Sequence, residues 1–421
     1  MTLLAEIMGI APRLAAHLSS RPAVLDSVLA PDFFQSLPSV SEMRQQLSEY
    51  LARADHIEDV LNFSRQWSHD RRFQVGVQWL RELIPAAEAA IAYSNIAEAT
   101  VDCTFKPVHA KFIESHGVIR GSDFAVLALG KLGSREMTAS SDLDLVIIYK
   151  APAYTSNSDG ARPLSVTQYF ARLAQRLINA LTALTSEGDL YEVDMRLRPL
   201  GNSGPIATTI EAFTSYHSDQ AWTWEHMALT RARIISATSY KIQCDVEDVI
   251  HRLLTNSRAP GPLLCDVANM RTRLAREKPG HCLWSLKYVR GGMVDIEFIA
   301  QYLALRHAAE NPNILNSETV ILLQNLTKAG YLNTSDGAFL NEALAMFQAL
   351  HGTLNLTIED EITSQRVDDF SDELKARLAD IGKCRNFDAL EAKLVSTTTG
   401  VFTLFQKIID TPANHILTPE R

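Results

Sequence analysis

Two aspartates one residue apart, Asp142 and Asp144, open an otherwise apolar run, DLDLVIIY (142–149). A carboxylate at the edge of a core is costly unless its charge is compensated. Along an extended chain alternate side chains share a face, so Asp142 and Asp144 point the same way, about 7 Å apart, while Leu143 and Leu145 point to the other side. Such a pair suits a hard divalent cation such as Mg²⁺, which is usually held by one or two carboxylates together with substrate phosphates. A second run, YEVDMRLRP (191–199), carries Glu192, Asp194, Arg196 and Arg198 at alternate positions. Asp194 is a natural third carboxylate, and Arg196 and Arg198 are suited to clamping phosphate oxygens. Two-metal phosphoryl-type chemistry needs such a set: one cation lowers the pKa of an attacking hydroxyl and the other stabilises the leaving phosphate.

Ahead of the first aspartate lies GKLGSREMTASS (130–141). Gly130 and Gly133 permit close approach of backbone to a phosphate chain, and Lys131 adds charge. The loop is neither a GxxxxGK[ST] phosphate loop nor a dinucleotide fingerprint. Each feature has an ordinary reading. A DxD pair often marks a turn or a surface pair, the two arginines could simply pair with Glu192 and Asp194, Lys131 could be solvated, and GNSGP (201–205) could be only a turn. Together, and in this order, glycine loop, DxD strand and carboxylate strand spell a nucleotidyltransferase core.

The elements that must position these residues are legible as periodicity. FAVLALG (124–130) and DLDLVIIY (142–149) read as buried strands, and LYEVDMRLRPL (190–200) alternates as a third. VTQYFARLAQRLINALTAL (166–184) reads as a strong helix. Residues 116–240 therefore form the catalytic core. Residues 1–115 read as a helical bundle, on runs such as EMRQQLSEYLARADHIEDVLNFSRQW, and 241–421 as a second bundle. The fold class expected is α+β, mostly α overall.

The chain has 421 residues, enough for two or three domains, and 46% hydrophobic against 21% charged residues marks it as globular. Its net charge of -9 argues against broad nucleic-acid binding and leaves room for a locally basic nucleotide pocket. Five cysteines without a CxxC pair fit a reduced, cytoplasmic protein with no zinc site. The amino terminus lacks a basic n-region and a cleavage site, so no signal peptide is expected. No apolar run reaches the roughly 18 residues of a membrane span.

Four blocks, GKLGSREMTASSDLDLVIIY, YEVDMRLRPLGNSG, AWTWEHMALTRAR (221–233) and LKYVRGGMVDIEFIAQYL (286–303), resemble those of the glutamine synthetase adenylyltransferase family. APRLAAHLSSRPAVLDSVL (11–29) resembles the segment ahead of its transferase half. That family joins two homologous nucleotidyltransferase halves in one chain. One attaches AMP from ATP to a tyrosine of glutamine synthetase. The other removes it by phosphorolysis, releasing ADP. The resemblance implies a DNA polymerase β-like core with a small mixed sheet, Mg²⁺ as cofactor and ATP as substrate. It implies glutamine synthetase as protein substrate, with a PII signal protein and glutamine as effectors.

Carried over residue by residue, Asp142, Asp144 and Asp194 are the metal-binding and catalytic carboxylates. Gly130, Lys131, Gly133, Ser134, Ser141, Arg196 and Arg198 are nucleotide-binding. At position 134 the family often has glycine. YEVD before RLRP and the AWTWEH block resemble the adenylylating half more than the removing half. Phosphorolytic removal and a non-catalytic regulatory fragment are the alternatives. With one core and a Met at what would be mid-protein, a split gene, a standalone half and a fragment are all compatible with the resemblance. Trp222 and Trp224 are expected to pack a helix on the core, Arg231 and Arg233 to meet either phosphates or acids, and the block from Lys287 to Glu297 to form a domain junction.

Overall fold

The computed structural model describes residues 7, 11–21, 24, 28, 31–358, 363 and 367–417. The segment 11–29 that resembles the family's pre-transferase region lies partly outside them. The fold is mostly helical with one small mixed sheet, the α+β class expected. The chain divides into two compact units. One comprises Met1–Ser27, Gly76–Ala89 and Leu254–Arg421, and the other Val28–Val75 and Ala90–Leu253. Residues 1–115, read from the sequence as one helical segment, thus contribute to both.

The first unit opens, among the described residues, with helix α1 (Pro12–Ser20). The sheet-bearing unit begins with α2 (Val40–Leu51), whose start is set by a capping box. The Ser39 hydroxyl accepts from the Glu42 amide at 3.3 Å, and the Glu42 carboxylate accepts from the Ser39 amide at 2.7 Å. The periodic run read as continuous breaks after Leu51 and resumes as α3 (Ile57–Leu80), where Asp59 accepts from the His56 amide at 2.9 Å. Helix α4 (Ala86–His116) follows.

Strand β1 (Asp123–Ala128) pairs antiparallel with β2 (Leu143–Lys150), Phe124 opposite Tyr149 and Ala128 opposite Leu145. Both are buried along nearly their whole length, which is why they read as unbroken apolar runs. Helix α5 (Val166–Thr182) turns Tyr169, Phe170, Leu173 and Leu177 inward. The Phe170 ring stacks on Tyr149 at 4.1 Å between centroids, and Phe105 of α4 stacks on Phe124 at 4.8 Å. On its other edge β2 takes β3 (Val193–Asp194) and β4 (Ala207–Thr209), both parallel. β1 takes β5 (Arg233–Ala237) antiparallel. The sequence missed β4 and β5, which are short and of mixed polarity. It also overextended the third strand. Pairing ends at Asp194, because the chain then turns: the Arg198 amide donates to Met195 O at 3.2 Å and Gly201 to Arg198 O at 2.8 Å. Helices α6 (Ile210–Asp219), α7 (Thr223–Leu229) and α8 (Tyr240–Leu254) complete the unit.

Arg65 of α3 is fully buried. Its guanidinium donates to Gly188 O at 3.0 Å, Leu61 O at 2.9 Å, Ala180 O at 3.1 Å and Ala183 O. It thereby satisfies orphan carbonyls at the carboxy end of α5 and fixes the turn leading toward β3.

The other unit continues with α9 (Pro260–Glu277), α10 (Met293–His307), α11 (Thr319–Lys328), α12 (Thr334–Thr357), α13 (Asp372–Ile381) and α14 (Phe387–Phe405). A π-helical turn, Gln406–Asp410, runs into α15 (Thr411–Leu417). The block RGGMVD (290–295) is its hub. Asp295 is fully buried, ion-paired to the equally buried Arg271, and accepts from the Gly291 amide at 2.5 Å. Arg290 pairs with Asp410 at 3.0 Å and lies over the Phe402 and Phe405 rings.

Replacing Arg65 by Met is expected to lower unfolding free energy by about 2–4 kcal/mol, because several buried carbonyls lose donors at roughly 1 kcal/mol each. Chemical denaturation of the two proteins measures it.

Candidate active site

The register of the sheet decides which carboxylates meet. Leu143 lies beside Val193 and Asp144 beside Asp194, and the Leu143 amide donates to Glu192 O at 2.9 Å. Neighbouring strands run about 4.8 Å apart, so two like charges are held side by side. Asp142 precedes Asp144 by two residues and is exposed, whereas Asp144 and Asp194 are half-buried.

The glycine loop closes on this pair. The Leu129 amide donates to Asp144 O at 2.9 Å, and residues Gly130–Gly133 form a single helical turn carrying the half-buried Lys131. Gly130 has φ +51°, and a β-carbon there would overlap the Asp144 carboxylate. A β-carbon on Gly133 would overlap the Arg231 carbonyl. The first glycine makes room for a carboxylate, the second for the chain entering β5.

Four arginines pin the loop. Arg72 of α3 donates to Ala139 O and, at 3.3 Å, to Leu190 O. One guanidinium thus joins the two segments that deliver Asp142 and Asp194. Arg233 donates to Gly133 O at 3.3 Å and Leu132 O at 3.1 Å and is ion-paired with Glu98. Arg231 pairs with Glu136 at 2.5 Å, and Arg135 donates to Asn95 at 3.0 Å. The question left open for Arg231 and Arg233 resolves in favour of acids. Arg72 and Asn95 were not found from the sequence, since each lies in a helical stretch with no motif of its own, and Glu136, inside the glycine-loop block, was given no role there.

Ser134 and Ser141 serve the loop itself. The Ser134 hydroxyl, buried, lies 2.9 Å from Glu136 Oε2 and 3.1 Å from Gly130 O. The Ser141 hydroxyl accepts from the Thr138 amide at 2.9 Å. The two motif arginines diverge because the strand stops at Asp194. Arg198 donates to Met195 O at 2.7 Å and Gly204 O at 3.3 Å, bracing the turn. Arg196 is largely exposed and takes both oxygens of Asp194, with its Nε 3.0 Å from Oδ1 and 2.8 Å from Oδ2. Hydrogen bonding to Asp194 raises its pKa above the ordinary guanidinium value, with added attraction from Asp144 and Asp142.

The donor set is carboxylate oxygen throughout, which fits a hard divalent cation. Among the described residues no three Asp, Glu, His or Cys side chains surround one cation position. The Arg196 guanidinium instead compensates Asp194. Trp222 is 71% exposed, against the packing expected of it. Glu225 is buried and caps α7 through the Trp222 amide at 2.9 Å. Neither ring nitrogen of the buried His217 has a hydrogen-bond partner among the described residues, and burial, with His226 nearby, takes its pKa down to about 3.

Residues 1–248 match the family model described as glutamate-ammonia ligase adenylyltransferase. The chain belongs to that family. Residues 268–409 match a second model, described as GlnD PII-uridylyltransferase. Similar curated proteins share the name bifunctional glutamine synthetase adenylyltransferase/adenylyl-removing enzyme. That of Xanthobacter autotrophicus is 42% identical over 98% of this chain. That of Rhodopseudomonas palustris (strain ATCC BAA-98 / CGA009) is 41% identical over 97%, and that of Bradyrhizobium sp. (strain ORS 278) 40% over 97%. The chain spans 41% of the length of each of these relatives.

Gly130→Ala is expected to cost about 1–2 kcal/mol for a left-handed residue given a β-carbon, and to displace the Asp144 side chain. Denaturation curves read the first effect and the crystal structure of the variant the second.

Proposed function

We propose that this chain transfers AMP from ATP to a tyrosine hydroxyl of glutamine synthetase, with release of pyrophosphate. The observation that carries this reading is the register of Asp144 beside Asp194, with Asp142 just ahead of β2 and Gly130 against the Asp144 carboxylate. The direction, addition rather than removal, rests on the YEVD–RLRP and AWTWEH blocks. The relatives' names cover both reactions.

In this reading the triphosphate lies along the Gly130–Gly133 turn, near Lys131. Asp142, Asp144 and Asp194 would be the carboxylates to hold Mg²⁺, which when bound would neutralise phosphate charge and lower the pKa of the hydroxyl. Asp194 orients the tyrosine and accepts its proton, a needed assistance because a free phenol has a pKa of about 10. The tyrosine oxygen attacks the α-phosphorus. The bond from that phosphorus to the bridging oxygen breaks, and pyrophosphate leaves with the electron pair. Arg196, held to Asp194 and largely exposed, is the motif arginine that would meet the phosphate oxygens. The same proposal includes a cytoplasmic setting, lowered glutamine synthetase activity within nitrogen regulation, and a PII signal protein and glutamine as effectors.

Incubating unmodified glutamine synthetase with this chain, ATP and Mg²⁺ is expected to add the mass of one AMP per subunit, on tyrosine, by intact-mass and peptide spectrometry. Loss of AMP from pre-modified glutamine synthetase with phosphate, and no gain, would reverse the assigned direction. Asp142→Asn with Asp144→Asn should reduce transfer by at least about 1000-fold, some 4 kcal/mol, with an unchanged circular dichroism spectrum. Arg196→Ala should bind Mn²⁺ more tightly by calorimetry yet transfer AMP more slowly. Unchanged Mn²⁺ affinity would show that Arg196 does not compete for Asp194.

A further inference from the structure

A second basic feature lies away from every candidate catalytic residue. In the sheet-bearing unit a groove of about 590 Å³ runs between α3, α4 and α5. One end is basic: Lys111 and His116 of α4 face it together with Arg172 and Arg176 of α5. Among the described residues no acidic side chain lines it. Lys111 pairs with Glu114 at 2.6 Å, and His116 Nδ1 lies 2.7 Å from Arg162 O. Arg172 and Arg176 have no acidic partner among the described residues, Arg176 lying only over the Phe112 ring at 5.7 Å. They sit four residues apart on one helix face, where like charges destabilise a helix by roughly 0.2–0.5 kcal/mol. The other end is apolar, formed by Ile57, Leu61, Ala180 and Ala183.

Shape and charge together select the occupant. From Arg172 to Ala183 the groove follows about three turns of α5, roughly 16 Å, and the α5 side chains Arg172, Gln175, Arg176 and Asn179 are exposed. Small-molecule sites enclose roughly 70–90% of their ligand, which an open trough of this length does not. A polypeptide laid along it would meet cations first and apolar surface afterwards. The chain as a whole carries a net charge of -9, so a groove lined by cations and by no described acid is a local exception that favours an acidic partner. We infer that this groove docks an acidic amphipathic segment of a partner protein, its carboxylates against Arg172 and Arg176 and its apolar side chains against Leu61 and Ala183.

The test is fluorescence anisotropy with the full chain and a labelled 14-residue peptide, Glu-rich in its first two turns and carrying Leu at helical spacing in its last two. Saturable binding is expected, weakened at least 10-fold by Arg172→Glu with Arg176→Glu, by Ala183→Glu, and by exchanging the peptide's Glu for Lys. The variants are checked for native circular dichroism. No saturable binding, or equal affinity for the charge-reversed variant or for the Lys peptide, overturns the inference. So does complete displacement of the peptide by inorganic phosphate, which would make this a small-anion site. Self-association by sedimentation velocity that the arginine variants abolish would make the occupant a second copy of the chain and would overturn the partner assignment.

Discussion

Asp144 and Asp194 repel one another, and the sheet holds them in register regardless. At about 5 Å and an effective dielectric near 20 the repulsion is on the order of 3 kcal/mol. Main-chain hydrogen bonds oppose it: the amides of Leu129 and Leu143 fix β2 at its two neighbours, to Asp144 O and Glu192 O. The Arg196 guanidinium offsets the rest of the charge by taking both oxygens of Asp194.

The scaffolding that makes this possible acts on backbone carbonyls. Arg72 bonds to Ala139 O and Leu190 O, and Arg233 to Leu132 O and Gly133 O. Arg65 gathers the carbonyls that end α5. A carbonyl is present whatever the residue, so these contacts constrain the arginine and the path of the chain but not the identity of the residues that bear the carbonyls. Burial lowers the pKa of the Arg233 guanidinium below its ordinary value, and Glu98 beside it opposes part of that shift.

The helical unit uses the same device around a different centre. Asp295 at the start of α10 is fully buried and answers Arg271 and the Gly291 amide together. Removing either ionic partner would leave an uncompensated buried charge, so the pair is costly to break even where its net contribution to stability is small. Burial raises the pKa of Asp410 beneath Arg290, in the π-helical turn where α14 and α15 meet.

The amino-acid sequence by itself determined the α+β class, the two central strands and α5, and it singled out Asp142, Asp144 and Asp194 as candidates. Those follow from local physics: an apolar run bounded by glycine, a two-residue alternation, a 3.6-residue stripe, and acids where a core strand should not have them. Alternation failed beyond Asp194, because it presumes a strand that continues, and pairing stops where the chain turns through Leu200 and Gly201. Only the tertiary structure therefore decided that Arg196 goes to Asp194 and Arg198 to the turn. Trp222, expected to pack a helix on the core, stands exposed, since what covers a side chain is set by distant segments. Arg72 was invisible for the same reason: its partners are carbonyl oxygens far along the chain, and a carbonyl leaves no mark on the identity of the residue that bears it.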